Sequence, residues 1–423
     1  MKHRLKALHN NLIYPNLIDS QYWSAKKRKL YQENRFIKIF NYHYTKNPRY
    51  KEFCNDNGFI SKISNFKDYL NVPIITKEIF KSNPELKLIK NKYMSSYHTG
   101  GSTGEPLEYI GCKKYRYMRL QAHSRGWKIF GLQSSSDFIT IASSRGDILN
   151  ADSLTGDLNN DNILGIIKFL SNSSKSILRG YSSSIFLVSN KMNKLGIKLN
   201  HIKAINLISE NVYDFHKKEM NIAFPKAGIF EEYVCNDGAA SAWECEEHNG
   251  LHEAFERSII EPINKGEMIV TDLWNHAMPF IRYINGDYLI ERNEILCNCG
   301  RTSPRIKVKG RTNDILISPN GPISPTYLMM WCAGYNYTGA KHNDGIDSIQ
   351  YIQNDNFLLT VNIEKNEKFD NIQFNRLKGE ISRICNDMKI SFNFVKKIKE
   401  SKSGKRNFII NNDKKLLERF LSK

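Results

Sequence analysis

The sequence predicts a mixed α/β protein, with a large N-terminal domain of mixed β-sheets flanked by helices and a small α+β domain at the C-terminal end. In the middle of the chain, short apolar runs alternate with stretches of helical periodicity, which is typical of a sheet covered by helices. After about Lys309 the order changes to strand, strand, helix and strand, which indicates a separate small domain. We therefore expect one domain over residues 1–310 and a second over residues 311–423.

Individual elements follow from local patterns. Residues 1–70 are predicted to be a helical extension, because aromatic residues lie between charged ones at helical spacings. Residues 72–77 are expected to be extended, and Thr76 can cap a short helix after them. Further helices are predicted at residues 113–130, 183–195 and 369–388. Strands are predicted at residues 138–142, 204–208, 268–271, 348–352, 357–363 and 389–394.

Composition limits the class of protein. With 423 residues and 40% hydrophobic content, the chain can bury a substantial core. We expect a cytoplasmic protein with no membrane span, because no apolar run is long enough and the basic N-terminal residues lead into polar sequence. The formal net charge of +19 suggests nucleic-acid binding, but the lysines are spread along the chain, which favours a solvated basic surface. Nucleic acid is therefore an unlikely partner.

A loop rich in glycine and hydroxyl residues is the first motif that carries chemistry. It comprises Thr99, Gly100, Gly101, Ser102, Thr103 and Gly104. Glycines allow the backbone N–H groups to approach an anion closely, and the hydroxyls add donors, so the loop suits a polyphosphate. It lacks the Gly-Lys-Ser/Thr ending of a Walker loop. Taken alone, such a cluster is more often an ordinary flexible loop.

Five further motifs follow this loop in order, and the first of them consists of two stretches, Arg179-Gly-Tyr-Ser-Ser183 and Ile208-Ser-Glu210. The other four are Glu232-Tyr-Val-Cys-Asn-Asp237, Pro279-Phe-Ile-Arg-Tyr-Ile-Asn-Gly-Asp287, Lys309-Gly-Arg-Thr-Asn-Asp314 and Ser401-Lys-Ser-Gly-Lys405. Together with the loop, they resemble the adenylate-forming superfamily in its phenylacetate-CoA ligase branch. That branch includes relatives encoded near capsule and surface-polysaccharide genes. The resemblance covers roughly residues 70 to 410, and six motifs in the right order are far more specific than any one of them.

The resemblance implies a site that binds ATP and Mg²⁺. Asp287 would accept hydrogen bonds from the ribose hydroxyls, Arg311 would meet ribose or phosphate, and Tyr233 would stack on adenine. Ser209 and Glu210 would end the strand under the nucleotide, and Cys235 and Asn236 would belong to the aromatic segment. Asp237 stands where the family usually has a magnesium-binding Glu, so the metal is expected through water. Lys405 would be the catalytic cation, carried by a mobile C-terminal lid that turns about a hinge at residues 311–314.

A second chemical pattern is independent of ATP. Thiolates and imidazole in a reducing compartment are suitable ligands for a tetrahedral structural Zn²⁺. Four residues are the predicted ligands: Cys245, His252, Cys297 and Cys299. His248 is the reserve for His252, and a set of unligated buried cysteines is the alternative. Many relatives of the branch carry a similar pattern.

The function implied is activation of a carboxylic acid by ATP to its acyl-adenylate, with release of pyrophosphate. Transfer to CoA is the default, transfer to an amine is the closest alternative, and a reaction that stops at the adenylate comes third. The alternative from another class is a protein that binds a nucleotide or nucleic acid, is stabilised by a structural zinc ion and has lost catalysis. The sequence leaves the identity of the acid and the oligomeric state open.

Overall fold

The computed structural model describes residues 14–88, 94–98, 107–129, 131, 138–141, 153–154, 160–210, 212, 214–263, 267–309, 316–323, 328, 345–355, 357–385, 387–398, 409–413 and 415–416. The chain divides into two compact units. The first comprises Met1–Tyr97, Leu107–Ser134 and Phe230–Gly310, and the second comprises His98–Pro106, Ser135–Ile229 and Arg311–Lys423. Among the described helices, none is both long and apolar enough to cross a membrane.

The elements have the following bounds. The α-helices are α1 (Leu17–Ser20), α2 (Ala25–Lys46), α3 (Pro48–Asp56), α4 (Lys77–Ser82), α5 (Lys113–Ile129), α6 (Asn160–Asn172), α7 (Ser182–Lys194), α8 (Asp214–Ala223) and α9 (Asn371–Ile384). The strands are β1 (Met94–His98), β2 (Glu108–Cys112), β3 (Phe138–Ile141), β4 (Ser153–Leu154), β5 (Ile177–Tyr181), β6 (Ala204–Ile208), β7 (Gly228–Val234), β8 (Ser241–Glu244), β9 (Leu251–Glu253), β10 (Ser258–Ile263), β11 (Glu267–Asp272), β12 (Tyr283–Asn293), β13 (Arg305–Lys309), β14 (Leu316–Ser318), β15 (Gly321–Ile323), β16 (Ile346–Asn354), β17 (Leu358–Lys365), β18 (Lys389–Val395) and β19 (Ile409–Asn411). Short 3₁₀ helices lie at Phe66–Asn71 and Pro84–Leu86.

The N-terminal helices begin at side chains that accept backbone N–H groups. Asn16 caps α1, Ser24 caps α2, and Asn47 caps α3 with Pro48 in the first helical turn. In α2, Phe36 and Phe40 are buried four residues apart and so share one face of the helix. The described part of the predicted N-terminal extension is therefore helical and buries an aromatic face.

The first unit is built on antiparallel strands in the order β10-β11-β12-β13-β9-β8-β7. The register shifts between Glu267 and Ile269 on β11 and between Leu289 and Glu291 on β12. Bulges of this kind increase the local twist and bend the strand. Residues 72–77, predicted to be extended, lie beside β12, where Ile75 donates to the carbonyl of Arg282 and accepts from the amide of Ile284.

In the second unit, the strands form a parallel arrangement in the order β6-β5-β3-β4. Every residue of β3, β5 and β6 is buried, which is the reason why β3 and β6 are mainly apolar rather than alternating, while β5 buries Arg179 among its residues. On β5, a Cβ on Gly180 would lie 2.0 Å from the carbonyl oxygen of Ile141. Glycine is therefore required for the close approach of β5 to β3.

The C-terminal part of the second unit contains a four-stranded sheet in the order β18-β17-β16-β19 with the helix α9. Its core includes Leu359, Val361, Leu377 and Ile381. The predicted helix over residues 369–388 is too long. The Asp370 side chain accepts the amide of Gln373 and starts the helix at residue 371, and after residue 384 the backbone leaves the helix, reaching a positive φ at Asp387.

Candidate functional site

Several residues predicted for the site lie outside the described part of the chain. They are Thr99, Gly100, Gly101, Ser102, Thr103 and Gly104 of the glycine-rich loop, Arg311 of the hinge, and the catalytic candidate Lys405. The candidate residues described below belong to three clusters, two of them in the first unit around Tyr233 and around Cys245, and one in the second unit at the end of β6.

The first cluster joins the aromatic segment on β7 to the aspartate on β12. The hydroxyl of Tyr233 donates to Oδ2 of Asp287 at 2.7 Å and accepts from Nδ2 of Asn285 at 2.9 Å. The side chain of Asn285 also accepts the amide of Asp287 at 3.0 Å. In a flat sheet, β7 and β12 would lie about 19 Å apart, since four strand spacings separate them. The direct contact therefore requires a strongly curved sheet.

This arrangement fixes the Asp287 carboxylate while leaving it acceptor capacity. One oxygen receives the Tyr233 hydroxyl, and a carboxylate can accept about four hydrogen bonds in all. Burial, together with the neighbouring charge of Asp287, raises the pKa of Tyr233 well above its usual value, so the phenol stays a donor. The hydroxyl end of Tyr233 is thus engaged with the carboxylate.

The carboxylate of Asp237, also in the first unit, accepts a hydrogen bond on each of its two oxygens. Its Oδ1 accepts from the thiol of Cys235 at 3.2 Å, and its Oδ2 accepts from the hydroxyl of Tyr283 at 3.0 Å. Burial raises the pKa of Asp237, while the thiol, the nearby Lys77 and the Tyr283 hydroxyl oppose the rise. The backbone carbonyl of Asn236 accepts from Tyr115 at 2.9 Å. The segment that carries the predicted magnesium ligand is therefore fixed by several hydrogen bonds.

A tight turn follows Asp237 and sets the direction of its side chain. Gly238 has a φ of 93°, and a Cβ there would lie 2.2 Å from Cγ2 of Val270. Glycine is the residue type that accepts both the positive φ and this contact. The amide of Cys235 then donates to the carbonyl of Ala240 at 2.8 Å, which closes the turn.

In the second unit, Ser209 and Glu210 form a strained turn at the carboxyl end of β6. Ser209 has a φ of 65°, and the amide of Glu210 donates to the carbonyl of Ile208 at 2.9 Å, which makes a three-residue turn. The Glu210 carboxylate accepts from the hydroxyl of Ser182 at 3.2 Å. Ser182 follows β5 and Glu210 follows β6, which are neighbouring parallel strands. Ligands of parallel α/β sheets bind outside the carboxyl ends of such strands.

The third cluster contains the four predicted metal ligands. The ligand atoms of Cys245, His252, Cys297 and Cys299 all lie within 4.8 Å of one another. Sγ of Cys245 lies 3.8 Å from Sγ of Cys297, and Sγ of Cys299 lies 3.4 Å from Nε2 of His252. Three thiols and one imidazole at these separations fit a tetrahedral Zn²⁺ site.

The surroundings of His252 fit the same group. Its Nδ1 lies 3.1 Å from the backbone carbonyl of Ser303, so Nδ1 carries the proton and Nε2 is the free lone pair toward the thiols. Burial lowers the pKa of His252 to about 4, which keeps the ring neutral. His248, by contrast, lies at 3.3 Å from the carboxylate of Glu244 and stands outside the cluster. Of the two histidines, the structure brings His252 to the thiols.

Sequence reasoning did not single out four residues that complete these clusters. Tyr283 and Asn285 stand inside the quoted Pro279–Asp287 segment, and their contacts depend on which strand faces them. Ser182 likewise stands inside the quoted Arg179–Ser183 segment, and its contact with Glu210 depends on the neighbouring strand. Ser303 is close to the cysteine pair in the sequence, but nothing in its residue type distinguishes it from an ordinary loop serine.

Sequence comparisons relate the chain to known proteins. The family described as the CapK C-terminal domain matches residues 335–412. Protein CapK of Staphylococcus aureus is 26% identical over 410 residues, which cover 90% of this chain and 89% of that protein. A phenylacetate-coenzyme A ligase of Thermus thermophilus is 33% identical over 105 residues, which cover 24% of this chain and 23% of that enzyme.

Solved structures show the same fold. A 2-hydroxyisobutyryl-CoA ligase, in complex with its acyl-adenylate and CoA in the thioesterification state, has a TM-score of 0.64 at 15% identity, covering 96% of this chain and 95% of that chain. The same ligase in the postadenylation state has a TM-score of 0.59 at 15% identity, covering 96% of each chain. The predicted fold class and the predicted resemblance are therefore confirmed. The chain is thus similar to Protein CapK over most of its length and to a phenylacetate-coenzyme A ligase over about a quarter of it, and it has the fold of 2-hydroxyisobutyryl-CoA ligase.

Proposed function

We propose that this protein activates a carboxylic acid with ATP. The carboxylate oxygen of the acid attacks the α-phosphorus, the bond to the β-phosphate breaks, and acyl-AMP and pyrophosphate form. The observation that carries the proposal is the cluster of Tyr233, Asn285 and Asp287, which holds a carboxylate with spare acceptor capacity beside an aromatic ring. A ribose with two hydroxyls and an adenine base together fit such a pair.

Within this proposal, Asp237 holds the magnesium ion that accompanies ATP. A carboxylate oxygen is a hard ligand, and the shorter side chain of Asp compared with Glu favours contact through water. When bound, Mg²⁺ would neutralise phosphate charge. The task of Cys235 and Tyr283 is to keep the carboxylate in one orientation, since each donates to a different oxygen.

Lys405 is proposed as the group that stabilises the charge built up at the α-phosphorus. Adenylation places extra negative charge on the phosphate and pyrophosphate oxygens, and a positioned ammonium lowers the barrier by interacting with that charge. Residues 311–423 would form the lid that brings this lysine to the acid, turning about residues 311–314. The domain boundary at residue 310 belongs to the same proposal.

The second half reaction is proposed to be transfer of the acyl group to CoA. The thiolate would attack the acyl carbon and AMP would leave, forming a thioester. Transfer to an amine, as in capsule or surface-polysaccharide biosynthesis, is the second candidate, because the chain aligns with Protein CapK over 410 residues and with the phenylacetate-coenzyme A ligase over 105.

Zn²⁺ is proposed as a structural ion at Cys245, His252, Cys297 and Cys299. All four ligand positions would be filled by protein, which is typical of structural rather than catalytic zinc. The ion would fix the end of β8, the strand β9 and the loop between β12 and β13.

A panel of aryl, fatty and sugar acids tests the function. Each acid is incubated with MgATP, and release of AMP and pyrophosphate is measured alone, with CoA and with amines. Pyrophosphate release that depends on one class of acid, and a thioester or amide that forms only with its acceptor, are the expected results. Salt-sensitive retention on RNA without acid-dependent release of pyrophosphate would contradict the proposal and favour the nucleic-acid-binding rival.

A further inference from the structure

The loop that carries two of the proposed zinc ligands also holds the N-terminal segment. Three residues after Cys299, the backbone amide of Thr302 donates to the carbonyl of Gln21 at 2.8 Å. The hydroxyl of Thr302 donates to the carbonyl of Trp23 at 2.5 Å. Both acceptors lie just after the short helix α1. Thr302 therefore binds the N-terminal segment through two backbone carbonyls, only three residues from a ligand.

Arg301 connects the same two parts of the molecule. Its Nε donates to Oε1 of Gln21 at 2.9 Å, and its NH1 donates to the carboxylate of Glu246 at 3.0 Å. Glu246 is the neighbour of Cys245. Burial opposes ionisation of Cys299, but hydrogen bonds from Arg301 outweigh it and lower the pKa of that thiol. One guanidinium thus spans the ligand loop, the segment after β8 and the N-terminal segment.

The following helix has anchors of its own. In α2, the hydroxyl of Tyr31 donates to the carbonyl of Glu256 at 3.0 Å, and Gln32 donates to the carbonyls of Phe255 and Ser258. None of these three acceptors belongs to the ligand loop. The hydrogen bonds from Arg301 and Thr302 of the loop end on residues 21–23, and an ion pair at 3.9 Å between Glu294 and Arg28 also joins the loop to the first turn of α2. The effect of the loop should therefore be strongest at α1 and the residues that join it to α2.

We propose that occupancy of the Cys245, His252, Cys297 and Cys299 site controls the docking of residues 17–23, with Arg301 and Thr302 as the connecting residues. The inference rests on the proposed zinc site and is independent of the adenylation reaction. Zinc fixes Cys297 and Cys299, and this holds Arg301 and Thr302 against Gln21 and Trp23. Without the ion, the loop gains conformational freedom and its hydrogen bonds to the segment weaken.

Thermodynamic linkage makes the effect reciprocal. If zinc strengthens docking of the segment by a given factor, docking strengthens zinc binding by the same factor. Loss of an outer partner of a metal site typically weakens metal binding about 10- to 100-fold. Gln21→Ala removes a side chain that touches no ligand, so a weaker zinc affinity in this variant would report the coupling directly.

The first experiment measures hydrogen exchange in the full chain, with zinc bound and after removal by a chelator. Zinc content is measured in both samples. Exchange at residues 17–23 should accelerate at least about tenfold on removal, while residues 31–46 and β11 keep their protection. Three results would overturn the inference: unchanged exchange at residues 17–23 after zinc has left, equal acceleration throughout the first unit, or purified protein that binds no metal at the four residues. The last result would also refute the zinc proposal, whereas the first would leave that proposal intact.

A second experiment uses variants and needs no metal removal. Zinc affinity is measured by competition with a chelating dye for Gln21→Ala, Arg301→Gln and the control Arg49→Gln, whose side chain is paired with Glu52 on the exposed surface of α3. We expect about tenfold weaker zinc binding for the first two, together with faster exchange at residues 17–23 while zinc is bound. The control should match the unmodified protein. Equal zinc affinity and equal exchange in all three variants would refute the coupling.

Discussion

The hydroxyl of Tyr283 lies 3.0 Å from Oδ2 of Asp237, and the tyrosine itself is only 1% exposed. Its ring packs against Phe80 and Phe280, and its backbone pairs with Val270 on β11. The donor is therefore rigidly placed. A buried donor of this kind fixes which way the carboxylate points and favours its ionised form.

Replacement of Tyr283 by Phe should weaken the use of magnesium. Without the hydroxyl, the pKa of Asp237 rises further and its carboxylate turns more freely, so the magnesium concentration for half-maximal adenylation should increase about tenfold. The rate at saturating magnesium should change far less. Binding of Mn²⁺ with ATP, followed by electron paramagnetic resonance, gives a readout that does not depend on turnover.

The control for this variant is Tyr69→Phe. Tyr69 is also buried, but its hydroxyl bonds to Thr271 and not to Asp237. If both variants show the metal dependence of the unmodified enzyme, Tyr283 has no part in placing the carboxylate.

Asp287→Asn should reduce the use of ATP. The amide keeps the shape of the side chain but loses the charge that strengthens hydrogen bonds to ribose, and such bonds are worth about 1.5–3 kcal/mol. Consequently, kcat/KM for ATP should fall roughly 10- to 150-fold, and Tyr233→Phe should cause a smaller loss. Steady-state kinetics with the exposed control Asp56→Asn checks the prediction. A KM for ATP that is unchanged in Asp287→Asn would argue against the assigned ribose contact.

Much of this fold could be predicted from the sequence, and so could the grouping of Cys245, His252, Cys297 and Cys299. The strand Ala204–Ile208 matches its predicted bounds, because a mainly apolar run in a parallel strand has clear ends. The contact between Tyr233 and Asp287 could not be predicted from the sequence, since it depends on the curvature of the sheet over several strands. The choice of His252 over His248 came from the resemblance to relatives. The bridge from Arg301 to Gln21 joins residues 280 positions apart, which no local pattern reveals.

His43 should make the protein sensitive to acid. Its Nε2 donates to the carbonyl of Asn275 at 2.8 Å, so the neutral ring carries its proton on Nε2, and burial lowers its pKa from 6.5 to about 3. The folded state therefore binds fewer protons than the unfolded state between these values, and stability falls as the pH drops below about 6.5. The contribution of this residue between pH 7 and pH 4 is about 3 kcal/mol.

Urea denaturation at pH 7, 5 and 4 measures this contribution. The variant His43→Gln keeps a donor for the Asn275 carbonyl but cannot titrate, so its free energy of unfolding should depend less steeply on pH than that of the unmodified protein. His201→Gln, at a half-buried position in the second unit, serves as the control. Parallel pH profiles for His43→Gln and the unmodified protein would show that His43 does not govern the acid response.

Lys405→Ala should separate ATP binding from chemistry. Loss of a cation that acts on the transition state lowers the adenylation rate while the affinity for ATP changes little. We expect a fall in rate of about 100-fold or more, with ATP affinity within about threefold by equilibrium titration. The neighbouring Lys402→Ala is the control. An unchanged rate of adenylation in Lys405→Ala would remove this lysine from the mechanism.

Exchange of labelled pyrophosphate into ATP measures acyl-adenylate formation by itself, because the exchange requires reversible adenylation and no acceptor. We expect exchange that depends on both magnesium and a carboxylic acid and that is lost in Asp287→Asn combined with Lys405→Ala. Absence of exchange with every class of acid, in protein shown to be folded and to bind ATP, would contradict the claim.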